Sequence, residues 1–210
     1  MADGDIKGAR LGFAGRLLRG LAFVLVHTVH RPKLYGEKPS LEEPTIFACR
    51  HVGLMDPVIL MVLYIDKLIH PLAAKDYFEK NRFTRFFYPL AQCIALDRKN
   101  PSDKQWMSDS VAALERGESI IIFPEGRRNK DKNGLLPFHT GVAQLAVRSG
   151  ARVIPVYNAF WKFPERYRLA IGDPVQFDSL PADGVTHAWL RSQTEKIRDA
   201  VADLGKNITL

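Results

Sequence analysis

His51 and Asp56, a histidine and an aspartate five residues apart, are the pair in this chain best suited to catalysis. A carboxylate that accepts a hydrogen bond from one imidazole nitrogen fixes the tautomer and makes the other nitrogen a better base. Residues 52–55 let the chain turn back between the two side chains, which residues five apart on a regular helix cannot do. Such a pair can take the proton from a hydroxyl group.

The same residues have a simpler interpretation. Asp56 precedes Pro57 and therefore suits the N-cap of a helix whose first position is proline. Chance alone gives about 0.4 such pairs in a chain of this composition, so a capping aspartate beside an incidental histidine stays open. No Gly-x-Ser-x-Gly elbow and no His-Glu-x-x-His or Cys-x2-Cys spacing is present. The sequence therefore predicts neither a common serine hydrolase nor a metal site.

Residues 123–128, Phe-Pro-Glu-Gly-Arg-Arg, form a second candidate site. A glycine after a strand lets the backbone approach a ligand closely, and two adjacent arginines offer charge-assisted hydrogen bonds to a phosphate. Lys130 and Lys132 follow, and Asp97-Arg98-Lys99 ends another predicted strand. We expect an anion-binding cradle here, and a solvated basic loop is the alternative.

From residue 44 onward, short β-rich runs alternate with segments of helical period. Strands are predicted at 45–49, 69–74, 93–96, 119–123, 152–157 and 168–171, and helices at 57–65, 77–88, 103–116, 140–149 and 186–204. The alternation predicts an α/β fold: a three-layer single domain with a mostly parallel, mixed sheet flanked by helices. Ligands bind at the carboxyl ends of strands in such sheets, and both candidate sites fall there.

Residues 10–30 lack proline and are predicted to form one basic amphipathic helix. Arg16, Arg19 and Phe23 share a narrow face, and leucine and valine fill most of the remainder. This pattern predicts a helix in the bilayer interface with its arginines near anionic headgroups. A helix docked on the domain is the alternative, because three glycines also suit close packing.

Composition limits the class of protein. The 210 residues fit a membrane-interface helix, 1–31, and one catalytic domain, 32–210. Two cysteines are too few for a disulfide framework and favour a reducing, cytosolic setting. The formal net charge of +7 indicates an anionic partner, which composition alone does not identify. No apolar run reaches membrane-spanning length, and the acidic start is unlike a signal peptide, so we predict neither a spanning nor a secreted chain.

Four blocks of the sequence, in this order, resemble the glycerolipid acyltransferase superfamily typified by 1-acylglycerol-3-phosphate (lysophosphatidate) acyltransferases. The resemblance covers most of residues 45–160. The blocks are His51-x4-Asp56-Pro57, Leu96-Asp97-Arg98, Phe123-Pro124-Glu125-Gly126 and Val153-Ile154-Pro155-Val156, with Ala74-Lys75 at a further matching position.

The resemblance implies direct acyl transfer with His51 as general base and Asp56 orienting it. The acceptor would be the free hydroxyl of 1-acylglycerol-3-phosphate, the product phosphatidate, and the co-substrate acyl-CoA or acyl carrier protein, with no cofactor. Six candidate substrate contacts follow from the blocks and the basic loop: Lys75, Arg98, Glu125, Gly126, Arg127 and Arg128. Val153, Ile154 and Pro155 are expected near the acyl chain or in packing.

The resemblance further implies membrane lipids as partners and no nucleic acid, on a cytoplasmic protein peripheral to the inner face of the cell membrane. Three positions depart from the family pattern, because Arg50, Gly53 and Arg127 replace the common Asn, Ser and Thr. In addition, Phe138-His139-Thr140-Gly141 occupies a segment where the phosphate-acceptor enzymes often have lysine. Another lysolipid or aminolipid acceptor therefore stays open. So do a non-catalytic anionic-lipid-binding module and a thioesterase. The sequence predicts no oligomeric state.

Overall fold

A seven-stranded sheet forms the centre of the computed structural model, which describes residues 13–100, 103–131, 134–159, 162 and 165–208. Its strands are β1 (Lys33–Tyr35), β2 (Thr45–Cys49), β3 (Ile69–Ala74), β4 (Ile94–Leu96), β5 (Ser119–Ile122), β6 (Arg152–Asn158) and β7 (Arg168–Ile171). They lie in the order β1-β7-β6-β2-β5-β3-β4. Only β6 and β7 pair antiparallel among these neighbours. The predicted mostly parallel, mixed sheet is confirmed.

Helices cover both faces of this sheet. They are α1 (Phe13–Leu25), α2 (Asp56–Leu63), α3 (Lys75–Phe78), α4 (Arg82–Leu90), α5 (Gln105–Glu115), α6 (Gly141–Ser149) and α7 (His187–Ile208). Alternate residues of β2 enter different apolar clusters, because successive side chains of a strand point to opposite faces. Ile46 packs with residues of α5, α6 and α7, whereas Phe47 packs with residues of α2. The result is the predicted three-layer arrangement.

The predicted helix over 77–88 is wrong in one respect, because the chain forms two short helices there. Asn81 begins α4: its side chain accepts from the Thr84 amide at 2.9 Å, and the Thr84 hydroxyl accepts from the Asn81 amide at 3.0 Å. This reciprocal cap starts a new helix where the apolar period alone indicated continuity. Strand β1 was not predicted, since three residues carry too little alternation to be recognised.

The amino-terminal helix differs from the prediction in its ending and in what it exposes. After α1 the chain makes a π-helical turn, Val26–His30. This turn ends at Arg31, whose φ is 43°. Arg19 is only 9% exposed and donates to the carbonyls of Ile65 (3.2 Å) and Lys67 (2.6 Å). These acceptors just beyond α2 draw Arg19 inward, so it does not face outward as predicted.

The outward side of α1 is apolar instead. Arg16 is exposed there, together with Phe13, Leu17, Leu21, Phe23, Val24 and Leu25. Residues 10–12 lie outside the described part of the chain. No helix among the described residues is long and apolar enough to cross a bilayer.

The topology brings the candidate sites together. Strands β2, β5, β3 and β4 are parallel neighbours, so their carboxyl ends lie along one edge of the sheet. His51 follows β2, Lys75 follows β3, Arg98 follows β4 and Phe123 follows β5. Every block but the fourth therefore reaches this edge, as the strand pattern predicted.

Candidate active site

His51 and Asp56 are in direct contact. Nδ1 of His51 lies 2.9 Å from Oδ2 of Asp56, and the backbone amides of Val52 and Gly53 donate to the same oxygen at 2.7 and 2.9 Å. The loop after β2 therefore folds back onto the carboxylate. Because the carboxylate can only accept, Nδ1 must carry a proton, and the lone pair of Nε2 is left to act as base.

Asp56 is not the N-cap that the sequence suggested. Met55 holds the N-cap position without a side-chain cap bond, and Asp56 is the first helical residue, followed by Pro57. The carboxylate is 2% exposed and turns back toward residues 51–53 instead of toward the helix amides. The interpretation as a mere cap is therefore wrong, and the contact with His51 replaces it.

Two further rings fix the pair. Tyr167 donates its hydroxyl to Oδ1 of Asp56 at 2.8 Å, and the ring of Phe123 stacks on His51 with 4.1 Å between centroids. Burial, with smaller contributions from the charge and hydrogen bond of Asp56, raises the pKa of Tyr167 well above its ordinary value. Tyr167 thus stays a donor. No spacing in the sequence indicates Tyr167, which lies 111 residues from Asp56.

Glu125 is buried and ties three segments together. Its Oε1 accepts from the His51 amide at 2.9 Å, and its Oε2 accepts from the Leu136 amide at 2.8 Å and from Nδ2 of Asn129 at 2.7 Å. Asn129 also donates its backbone amide to the His51 carbonyl at 2.6 Å. Oε1 of this predicted substrate contact therefore holds the loop that carries His51, and Oε2 holds the segment after β5. Asn129 and Leu136 were not predicted as parts of the site.

Arg50 is fully buried, next to His51 in sequence but with its side chain in the interior of the protein. Its guanidinium donates to the Tyr157 hydroxyl at 2.7 Å and to the Asp131 carbonyl at 2.6 Å, and it lies 4.6 Å from the centre of the Tyr157 ring. The residue that departs from the family pattern here therefore supports the loop after β5. Its side chain is not on the exposed edge where an acceptor would enter.

The remaining predicted contacts form an exposed basic rim, which we define as Lys75, Arg98, Arg127 and Arg128. Arg98 donates to the Gly126 carbonyl at 3.4 Å, and Lys75 lies 3.9 Å from the Asp97 carboxylate. The rim therefore joins the second and third blocks. Lys130 is exposed beside it, and Lys132 lies outside the described residues.

Gly126 is required by the turn that follows β5. Its φ is 68°, and a Cβ there would lie 2.9 Å from Nε2 of His139. Its own amide donates to the Phe123 carbonyl at 3.0 Å, so this N–H belongs to the turn. The glycine lets Phe123, Glu125 and the two arginines of the rim leave the strand in different directions.

The fourth block lies inside the sheet. Val153 and Ile154 point into the two opposite apolar clusters, and Pro155 pairs in register with Ala48. All three are buried. The structure thus places them in packing around β2, the strand that leads into the loop carrying His51.

An apolar groove of about 270 Å³ lies between α1, α2 and α4. Leu18 and Leu21 of α1, Val58 and Met61 of α2, and Phe87 and Leu90 of α4 line it, and Met55 extends it to the residue before Asp56. Among the described residues, no group of three or more His, Cys, Asp or Glu could hold a metal ion.

We predict that Glu125→Gln lowers the free energy of unfolding by about 1–3 kcal/mol. The NH₂ group of the new glutamine would face N–H groups that now donate to the carboxylate, so hydrogen bonds would be lost. Urea denaturation of the purified protein measures this change. Arg128→Gln is the control, an exposed rim residue whose loss should change stability by less than about 0.5 kcal/mol. A Glu125→Gln protein that unfolds like the wild type and shows only a raised acceptor KM would make Glu125 a substrate contact instead.

Several curated acyltransferases are similar in sequence to this chain. A 1-acyl-sn-glycerol-3-phosphate acyltransferase from Bacillus subtilis is 25% identical over 180 residues, covering 80% of this chain and 86% of that protein. One from Cocos nucifera is 34% identical over 113 residues, covering 53% and 36%. The acl-2 protein of Caenorhabditis elegans is 27% identical over 198 residues, covering 88% and 66%. The chain thus spans between about a third and most of the length of these relatives.

The fold also has a match among solved structures. The 1-acyl-sn-glycerophosphate (LPA) acyltransferase PlsC from Thermotoga maritima superposes with a TM-score of 0.62 at 19% identity, covering 92% of this chain and 78% of that one. The family model described as Acyltransferase matches residues 27–159, a range that holds all four blocks. With the His51–Asp56 contact and the basic rim inside that range, the chain belongs to the Acyltransferase family.

Proposed function

We propose that this acyltransferase moves a fatty acyl group from acyl-CoA or acyl carrier protein to the free hydroxyl of 1-acylglycerol-3-phosphate, giving phosphatidate. The observation that carries the proposal is the His51–Asp56 pair beside a basic rim at one sheet edge. The names of the Bacillus subtilis and Cocos nucifera relatives support this acceptor. The rim supplies the positive charge that a phosphate monoester requires.

The pair acts as a general base in the proposed reaction. Nε2 of His51 takes the proton from the acceptor hydroxyl as its oxygen attacks the thioester carbon. The tetrahedral intermediate then collapses: the carbon–sulfur bond breaks, and the departing thiolate takes the proton back from His51. Asp56 holds the ring in place and stabilises the imidazolium between the two steps. No acyl-enzyme forms, so the histidine ends the cycle as it began.

Acceptor recognition falls to the residues that remain exposed. Arg98, Arg127 and Arg128 are placed to bind the phosphate, with Lys75 next to Asp97 at the same rim. Arg127 departs from the family pattern and lies on this rim. We therefore expect this departure to alter the headgroup preference. Arg50 is buried and acts on the acceptor only through the loop that it supports.

The apolar groove between α1, α2 and α4 supports a place for an acyl chain. It is lined almost wholly by aliphatic and aromatic side chains and reaches Met55, the neighbour of Asp56. Such a groove suits a fatty acyl chain whose thioester or ester end lies at His51. The outward apolar side of α1 borders the same groove and supports peripheral attachment to the cytoplasmic face of a membrane.

We expect thiol release from acyl-CoA or acyl carrier protein to require both lysophosphatidate and His51. His51→Ala and Asp56→Asn should each lower kcat by about 10²–10⁴-fold, because the base or its orienting partner is lost. A donor-by-acceptor screen with purified protein measures this, with His187→Ala, an exposed histidine on α7, as the matched control.

Each other outcome of this screen identifies an alternative. Release with neutral-headgroup lysolipids or an aminolipid would change the acceptor. Release of free fatty acid without an acceptor would indicate a thioesterase. Wild-type turnover by His51→Ala would contradict the proposed base. No thiol release from any donor in the screen, together with tight vesicle binding in a separate cosedimentation assay, would indicate a lipid-binding module.

Attachment through α1 predicts a second effect. Leu17→Gln with Val24→Gln removes two exposed apolar side chains that do not line the groove. We expect activity on lysophosphatidate in vesicles to fall by about 10-fold, since each buried apolar side chain contributes to interfacial binding. Activity on a soluble short-chain acceptor should stay within twofold of wild type. Equal losses on both acceptors would mean that α1 is structural only.

A further inference from the structure

Helix α4 exposes aromatic side chains that no part of the proposed chemistry uses. Phe83 is 70% and Phe86 67% exposed, whereas Phe87 and Leu90 face the groove shared with α1 and α2. The helix is fixed at its start by the reciprocal cap of Asn81 and Thr84, so the two phenylalanines are held outward by an ordered backbone. Exposed phenylalanines one turn apart on a capped helix indicate an interaction surface.

The charge around these rings indicates what covers them. Arg82 and Arg85 of α4 and Lys80 before it are exposed, and no acidic residue occurs within the helix, although Glu79 precedes Lys80. Aromatic rings interleaved with arginines match the boundary between acyl chains and anionic phosphates. Leu54, on the loop that carries His51, is the first exposed apolar side chain after His51. Helix α1 lies across the groove from α4.

We propose that α4 is a second membrane-contacting element, which lies in the interface of an anionic phospholipid bilayer beside α1. This inference rests on the proposed attachment to a membrane and names a surface that the amino-terminal helix does not supply. Phe83 and Phe86 enter the headgroup boundary, and Arg82 and Arg85 contact lipid phosphates. Contacts on both sides of the groove would place its opening at the bilayer, where acceptor and product reside.

Cosedimentation with phosphatidylcholine vesicles that either lack or contain about 30% of the anionic lipid phosphatidylglycerol tests this surface. We expect Phe83→Ser with Phe86→Ser to weaken binding to both vesicles by about 10-fold. Arg82→Gln with Arg85→Gln should weaken binding by a similar factor only on the anionic vesicles. Leu180→Ser with Val185→Ser, exposed apolar residues outside both helices, is the matched control and should bind like wild type.

The outcomes separate this inference from the proposed function. Wild-type binding by both α4 variants would overturn the role of α4 while leaving attachment through α1 intact. Wild-type protein that binds neither vesicle would overturn both. A phenylalanine variant that loses self-association in sedimentation, with vesicle binding unchanged, would make α4 a contact between copies of the chain. Activity on a soluble short-chain acceptor should be unchanged in every α4 variant.

A different observation concerns Tyr167, whose hydroxyl is the only described side-chain donor to Oδ1 of Asp56. Tyr167 is buried, and its backbone is anchored on both sides: its amide donates to the His30 carbonyl at 2.8 Å and its carbonyl accepts from the Lys33 amide at 2.7 Å. The ring of His30 meets it edge-on, with 6.5 Å between centroids. The end of the amino-terminal helix thus holds the residue that holds Asp56.

We infer that Tyr167 is a positioning residue for the catalytic pair. Its hydroxyl fixes the plane of the Asp56 carboxylate, so that Oδ2 meets His51 and the two amides of the loop at once. The Cys49 thiol lies near Asp56, and the charge of Arg50 acts on Tyr167, where it opposes the rise in pKa that burial causes. Like the base assignment, this inference rests on the proposed function.

Tyr167→Phe removes the hydroxyl and keeps the ring. With one donor fewer, the Asp56 carboxylate holds the His51 proton more tightly, so the imidazole takes up its second proton at higher pH. We expect kcat to fall by about 10-fold and the acid limb of kcat/KM to move upward by about half a pH unit or more. Tyr64→Phe is the matched control: Tyr64 is also buried, and its hydroxyl donates to the Pro39 carbonyl at 3.0 Å, away from the pair.

Nitrogen-15 NMR titration of His51 tests the same link without turnover. A midpoint that rises in Tyr167→Phe but not in Tyr64→Phe supports the inference, and an unchanged midpoint with unchanged kcat overturns it. In an Asp56→Asn background, Tyr167→Phe should cause no further shift. A uniform loss of activity at every pH, with lowered stability, would make Tyr167 a structural residue only. Absence of acyl transfer by the wild type would contradict the proposed function while leaving the titration interpretable.

Discussion

The buried carboxylate of Asp56 is the constraint on which the site depends. A carboxylate removed from water is costly unless donors surround it. Four do so here: the imidazole of His51, two successive backbone amides and the hydroxyl of Tyr167. The requirement to satisfy Asp56 therefore folds the loop after β2, sets the histidine tautomer and brings in Tyr167, the residue before β7. The contact between His51 and Asp56 and the fold of this loop are the same arrangement.

Much of this arrangement could be predicted from short-range pattern. Strands β2, β3 and β7 match the predicted bounds, because these largely apolar segments are followed by polar or turn residues. Parallel pairing then places the residues after β2, β3, β4 and β5 at one edge without further information. The sequence could not show Tyr167 with Asp56, or Arg50 with Tyr157, because each contact joins residues more than 100 positions apart. It equally could not show that Glu125 points inward, since a charged residue in a loop is ordinarily exposed.

Net charge indicates an anionic partner, but it does not indicate which basic residues are exposed to meet one. Arg19 and Arg50 are both removed from solvent, where they bond backbone carbonyls or a tyrosine hydroxyl. Burial lowers the pKa of Arg19, with the charge of Asp66 acting the opposite way, and the guanidinium keeps its charge because two carbonyl oxygens accept hydrogen bonds from it. Exposed positive charge remains elsewhere, including the basic rim, α4 and Arg16.

The amino-terminal segment joins these two themes. Its first part, α1, carries the apolar outer side, and its π-helical turn is part of the core: Val26 is buried, and the His30 carbonyl bonds the Tyr167 amide. A segment that only tethered the protein to a surface would need neither contact. Direct hydrogen bonds link the end of the amino-terminal segment at His30 to Tyr167, and Tyr167 to Asp56. Any contact that fixes the position of α1 therefore also acts on Tyr167, which orients the Asp56 carboxylate. The apolar groove lies between α1, α2 and α4. This explains why α1, whose outer side suits a bilayer interface, packs against the helices next to His51 and Asp56 instead of extending away from the domain.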